Sequence, residues 1–219
     1  MTISPAIWPL LWKATLETLW MVVPAAVLGQ LLGTALGVAL TLTRPGGLRP
    51  SPALYRMLDT IVNIGRSFPF IILMILLIPL TRALVGTSIG STAAIVPLTV
   101  SAVPFLARLV EGSLREIPAG VSEAARVMGA TTGQIVTRVL LPEALPGLIH
   151  SFTVLVISLI GYSAVAGAIG AGGLGDLAIR YGYQRFDTAT MLITVLVLLV
   201  IVQLVQWLGD WAERRTDRR

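Results

Sequence analysis

The stretch Leu114-Arg-Glu-Ile-Pro-Ala-Gly-Val-Ser-Glu-Ala-Ala-Arg-Val-Met-Gly-Ala-Thr-Thr-Gly-Gln-Ile-Val136 is a polar island between long apolar segments. Its punctuation is that of two short helices. Pro118 suits a first helical turn, where a missing N–H costs nothing. Val121, Ala124, Ala125 and Met128 repeat at helical spacing and form one apolar stripe. Gly129 is placed to end that helix, because it accepts the left-handed conformation a C-cap needs. Thr131 and Gln134 have capping-box spacing for a second helix, whose apolar face continues through Ile135, Val136 and Val139 and stops at Pro142. The opposite face carries Glu123, Arg126 and Arg138. On these residues alone the island reads either as helices covering the underside of a bundle or as a rigid docking element for a partner. A DNA-reading helix-turn-helix is disfavoured, because both ends are tethered and the charges largely cancel.

The sequence on either side of the island decides the class of protein. Of 219 residues, 55% are hydrophobic and 12% charged, and mean hydropathy is +0.86. That charged fraction is about half the usual value for a soluble domain. The apolar residues lie in runs long enough to cross a bilayer, which takes about 20 residues in a helix. Five spans are expected: Leu16 to Leu42, Phe68 to Leu84 with an amphipathic lead-in from Ala53 to Arg66, Ile89 to Leu106 stopping at Arg108, Pro146 to Ile169, and Thr188 to Leu208. Residues 114–142 form the loop between the third and fourth.

Basic residues set the orientation. Arg44, Arg49, Arg56, Arg66, Arg108, Arg115, Arg126, Arg138, Arg214, Arg215, Arg218 and Arg219 fall on one side of the five spans, and only Lys13, Arg82, Arg180 and Arg185 on the other. This asymmetry places the amino terminus outside and the island and the carboxyl terminus in the cytoplasm. It also accounts for the net charge of +5 without nucleic acid. Trp8, Trp12, Trp207, Trp211, Tyr181, Tyr183 and Phe186 fall at the expected interfaces. The opening stretch lacks the basic start and short core of a secretory signal, so residues 1–15 are expected to remain attached.

Several functions are disfavoured. With no cysteine and a single histidine, His150, the chain has no thiolate site and no His-cluster metal site. It contains no Gly-x-x-x-x-Gly-Lys-Ser/Thr sequence, so the chain has no P-loop to bind ATP. Ionisable residues are sparse within the spans, which speaks against a proton-coupled carrier or a hydrolase. Gly29, Gly33 and Gly37 are four residues apart, a spacing that lets helices approach closely either within the subunit or between copies. Pro24, Pro79, Pro97 and Pro104 are possible kinks. Ser101, Tyr162 and Ser163 are polar groups inside apolar spans and therefore candidates for a solute pathway.

The island also carries a resemblance. Glu123-Ala124-Ala125, three residues, Gly129, nine residues and Val139-x-Leu141-Pro142 resembles the EAA motif of ABC importer permeases, departing only by Val139 for Ile. The likeness covers nearly the whole chain and is nearest to the methionine-uptake permeases. It is carried by Thr43-Arg-Pro-Gly, Ile61-Val-Asn-Ile, Arg66-Ser-Phe-Pro-Phe-Ile-Ile, Val85-Gly-Thr-Ser-Ile-Gly and Ala94-Ile-Val-Pro-Leu-Thr-Val. Leu140-Leu-Pro-Glu-Ala-Leu-Pro-Gly, Gly161-Tyr-Ser-Ala, Gly170-Ala-Gly-Gly-Leu-Gly and Tyr181-Gly-Tyr continue it. The resemblance implies an all-α, type I ABC permease in which residues 1–219 form one transmembrane domain of a bacterial inner membrane. Two copies would enclose the pathway and an ATPase subunit would grip each EAA loop through Glu123, Ala124, Ala125, Gly129, Leu141 and Pro142. A binding lipoprotein outside the cell would deliver methionine. The chain would be no enzyme and hold no cofactor or metal, since ATP and Mg would bind the partner.

Overall fold

The structure, a computed structural model, describes residues 7–216, so Arg218 and Arg219 of the charge count lie outside the described residues. Those residues are almost entirely helical, with no strand. Four helices are long and apolar enough to cross a membrane: α1 (Ile7–Thr43), α5 (Ser91–Arg115), α9 (Leu145–Ala166, continued as a π-turn to Ala171) and α11 (Thr188–Thr216). A fifth candidate is bent by 103° between α2 (Pro52–Ser67) and α3 (Phe70–Leu76).

The α1–α5 pair is the centre of the packing. Gly29, Gly33 and Gly37 all face α5: an added Cβ would lie 2.7 Å from Ala102 Cβ, 2.9 Å from Leu106 Cβ and 2.7 Å from the Ala107 carbonyl oxygen, respectively. The glycine stripe therefore acts within the subunit, where it brings two backbones together over buried Ala102, Leu106 and Val110. Pro24, Pro97 and Pro104 lie inside continuous helices. The breaks are elsewhere. Phe68 precedes Pro69, and the proline ring keeps the preceding residue extended (φ −73°, ψ 126°), which makes the sharp bend. Pro79 cannot donate to the Ile75 carbonyl, so the helix is interrupted at Leu77 before α4 (Ile78–Val85).

Two expectations need correction here. The stretch 53–66 is more than a lead-in. It forms α2, which packs along α5 with Val62 fully buried against Leu40 and Ala107 and with Gly65 close to Pro104. The segment expected as span 68–84 is two helices joined at a break. Helix α5 continues past Arg108 to Arg115, and Arg108 and Arg115 both find a carboxylate at Glu111 on the same helix.

After α9 the chain breaks at Ile169 and Gly170 (φ 102°) and turns back as the short α10 (Gly173–Leu177). The turn is pinned from α1: Gly173 N–H donates to Glu17 Oε2 at 2.8 Å and Leu174 N–H to Thr18 Oγ1 at 2.9 Å. The glycine-rich run 167–175 thus uses a carboxylate of its own chain to satisfy backbone donors. Asp187 begins α11 as its cap, accepting from Thr190 N–H (3.1 Å) and Thr190 Oγ1 (2.6 Å), and those hydrogen bonds hold its carboxyl below the ordinary aspartate range.

Candidate functional site

The island folds as α6 (Ala119–Val127) and α7 (Thr132–Ile135), with α7 continuing through a π-turn (Val136–Leu140) and α8 (Leu141–Glu143) toward α9. Pro118 stands just before α6 in an extended conformation (φ −56°, ψ 134°), its carbonyl accepting from Val121 N–H at 3.1 Å. At the far end Gly129 adopts φ +83°. Its N–H bonds the Arg126 carbonyl at 2.9 Å, and Ala130 N–H bonds the Ala125 carbonyl at 3.1 Å. This is the Schellman arrangement, with glycine at the left-handed position. The capping box follows at once: Thr131 N–H donates to Gln134 Oε1 at 2.8 Å and Gln134 N–H to Thr131 Oγ1 at 3.3 Å. Pro142 does not end this helical run. The π-turn before it leaves Leu141 N–H on the Val136 carbonyl, and the chain re-enters helix at once.

The apolar stripe expected on α6 is split between two faces. Ala125 is buried with Ile117, Ile135 and Leu140 in the main core, and half-buried Val121 packs against that core. Ala124 and Glu123 face outward. Met128 belongs to the turn, outside the helix, and its change of backbone direction swings it away from the bundle. It is 81% exposed and its neighbour Val127 is 89% exposed. Leu141 is half-buried and Pro142 exposed. Arg126 is an anchor: its guanidinium donates to the Leu48 carbonyl at 2.7 Å, tying α6 to the turn after α1. The result is a braced helix pair whose tip shows two large apolar side chains to solvent.

Behind this platform lies a cluster that the sequence reading passes over. Glu111, 1% exposed, accepts from Arg108 Nη1 at 2.6 Å, from Arg115 Nη2 at 2.7 Å and from the Tyr55 hydroxyl at 3.3 Å. Arg108 also reaches across to α2, donating to Asp59 Oδ1 at 2.6 Å and Asn63 Oδ1 at 2.9 Å. Glu111 lies beyond the third expected span, so the expectation of few ionisable groups within the spans does not reach it. The only sequence signal for Glu111 was an acid with arginines at i−3 and i+4, which reads as an ordinary surface helix until α2 covers it. Glu111→Ala removes the buried carboxylate shared by half-buried Arg108 and exposed Arg115. It is expected to cost on the order of 3 kcal/mol, read as a lowered unfolding midpoint in detergent. An unchanged midpoint would reduce the cluster to a surface feature.

The three pathway candidates differ in availability. Ser101 Oγ donates to the Leu98 carbonyl at 2.8 Å, and buried Ser163 Oγ donates to the Ile160 carbonyl at 2.7 Å, so both hydroxyls serve their own helices. Tyr162 stacks on Phe70, centroids 4.8 Å apart and planes 9° from parallel, at the start of α3.

Residues 31–218 match the family described as binding-protein-dependent transport system inner membrane component. The chain belongs to that family of inner membrane permeases. Among its relatives, this permease is 53% identical over 210 residues to the probable D-methionine transport system permease protein MetI of Vibrio cholerae serotype O1, covering 96% of this chain and 93% of that protein. It is 54% identical over 164 residues to the D-methionine transport system permease protein MetI of Escherichia coli K12, covering 75% of each. In three dimensions it superimposes on a chain of the inward-facing MetNI methionine ABC transporter with a TM-score of 0.97 at 50% identity, covering 99% of this chain and 100% of that one. A chain of an amino acid ABC transporter with histidines shares the fold alone, at a TM-score of 0.79 and 20% identity. The helical arrangement is that of the type I ABC permeases.

Proposed function

We propose that the permease is the membrane-spanning subunit of an ATP-driven methionine importer, and that α6, its Gly129 turn and α7 are where a separate ATPase subunit docks. The observation that carries this reading is the tip formed by Val127 and Met128, apolar side chains exposed at the end of a helix that is seated through Ala125, capped at Gly129 and anchored through Arg126. Apolar surface of this kind, held rigid in a polar loop, suits a partner's cleft better than water. The twelve-to-four distribution of basic residues supports placing that tip in the cytoplasm and the amino terminus outside. Glu123, Ala124, Gly129 and Pro142 then meet the ATPase, while Ala125 and Leu141 seat the platform on the bundle.

Two copies enclose the pathway, each carrying one ATPase subunit that binds ATP with Mg, and a lipoprotein outside the membrane delivers the cargo. The relatives named for methionine transport support the cargo assignment. Tyr162 on Phe70 offers an aromatic surface of the kind that attracts a thioether. Reconstitution tests the whole reading. Vesicles holding the permease, its ATPase and its binding protein are expected to accumulate labelled methionine only with ATP inside the ATPase-facing compartment. Uptake by the permease alone on an ion gradient would replace this reading with a secondary carrier, and no uptake with every component present would reduce the chain to a scaffold.

A further inference from the structure

Helices α1, α9 and α11 enclose an apolar groove of about 670 Å³, walled by Val27, Phe152, Val156, Leu208 and Ala212 among others. Its rims are outer surfaces of the bundle. Val23 and Val27 on α1 and Leu208 on α11 are all exposed, so in a membrane the groove opens onto lipid. Its floor is closed where Gly209 crosses directly over Thr153.

Two features indicate what fills it. The Gln30 amide lines the groove, and its Oε1 is buried with no hydrogen-bond partner among the described residues. A half-turn of the amide exchanges oxygen for NH₂, which lets Gln30 donate to an ester carbonyl. One turn past Ala212, Arg215 lies over the Trp211 ring at 4.3 Å, with Arg214 exposed beside it. The nearby carboxylates are already engaged, Asp210 by Gln206 Nε2 at 2.7 Å and Glu213 by His150 at 3.3 Å. A tryptophan marks the depth of lipid headgroups, and arginines there attract anionic ones.

We infer that the groove is a binding site for one anionic phospholipid. An acyl chain lies along Phe152 and Val156, a backbone ester meets the Gln30 amide, and the phosphate rests on Arg215 with Arg214 alongside. The site is independent of the cargo and of the ATPase, so it stands whatever solute the permease carries.

The test is native mass spectrometry of the full-length chain, purified in mild detergent, delipidated and titrated with phosphatidylglycerol or phosphatidylcholine. A single phosphatidylglycerol adduct is expected, favoured about fivefold over phosphatidylcholine, with Arg215→Gln erasing that preference. Ala212→Phe, which plugs the groove, is expected to remove the adduct of both lipids; Val156→Phe does the same from deeper in the groove and serves if the first variant fails to fold. Equal binding of the two lipids, or adducts unchanged in both plugged variants, overturns the proposal. So does a disulfide between two copies of Leu208→Cys in native membranes, since a second copy would then cover the groove.

Discussion

Gly129→Asp is expected to bring ATP-driven uptake down to background while the protein still inserts and folds. The two halves of that outcome have separate causes. An L-residue at φ +83° is strained by roughly 1 kcal/mol, and aspartate is among the side chains that tolerate the left-handed region best. No atom of the described residues lies within 4 Å of an added Cβ, so the tight packing that a helix cap might suggest is absent among them. The fold therefore survives. The charge, however, stands beside Val127 and Met128 on the surface assigned to the ATPase. Burying an unpaired carboxylate at such an interface costs several kcal/mol, enough to reduce docking by orders of magnitude. Gly129→Asn has the same backbone tolerance without the charge and should retain much of the activity. Uptake by membrane vesicles, normalised to the amount of permease present, separates these cases. Full activity in the aspartate variant would remove this segment from any docking role.

Gly175→Ala is expected to have the largest effect on folding of any single methyl addition. The new Cβ would run into the carbonyl oxygen of Ala164 and lie 2.5 Å from Ala164 Cα, and both are backbone atoms of α9 that cannot swing aside. Nor can α10 retreat, since Glu17 and Thr18 hold Gly173 and Leu174 against α1. Overpacking of this kind costs about 3 kcal/mol. The control is Gly112→Ala in α5, where no atom of the described residues lies within 4 Å of the new Cβ; replacing a helical glycine there should be neutral or stabilising by up to about 1 kcal/mol. Thermal unfolding of both variants in detergent measures the difference. Matching midpoints would mean that α10 is free to shift, contrary to the pinned turn described here.

What could be read before the structure was local. Gly129 as a cap and the Thr131–Gln134 box both depend on hydrogen bonds between groups a turn apart in the chain, so residue types at fixed spacing suffice. The spans were legible for a similar reason, since bilayer thickness imposes a length that hydropathy reports directly. The wrong readings cluster where a partner from a distant helix changes the outcome. Residues 53–66 looked like a surface lead-in because their moment is amphipathic, yet α2 lies against α5 with Val62 in a core. The surroundings of Arg108 were equally out of reach, since Asp59 and Asn63 come to it from α2.

The chain's membrane class, its helices and the motif that names its family were therefore determined by the sequence alone, through lengths and spacings that act within a few turns. The tertiary structure alone decided which way Met128 faces, that the Gly29–Gly33–Gly37 stripe closes on α5, and that Glu17 and Glu111 are structural carboxylates. Those outcomes depend on the register in which one helix meets another. Glu17 and Gly173 are 156 residues apart, and Arg108 and Asp59 are 49 apart. At such separations no local periodicity constrains the pairing. Only the close packing of whole helix faces brings the partners within hydrogen-bond reach.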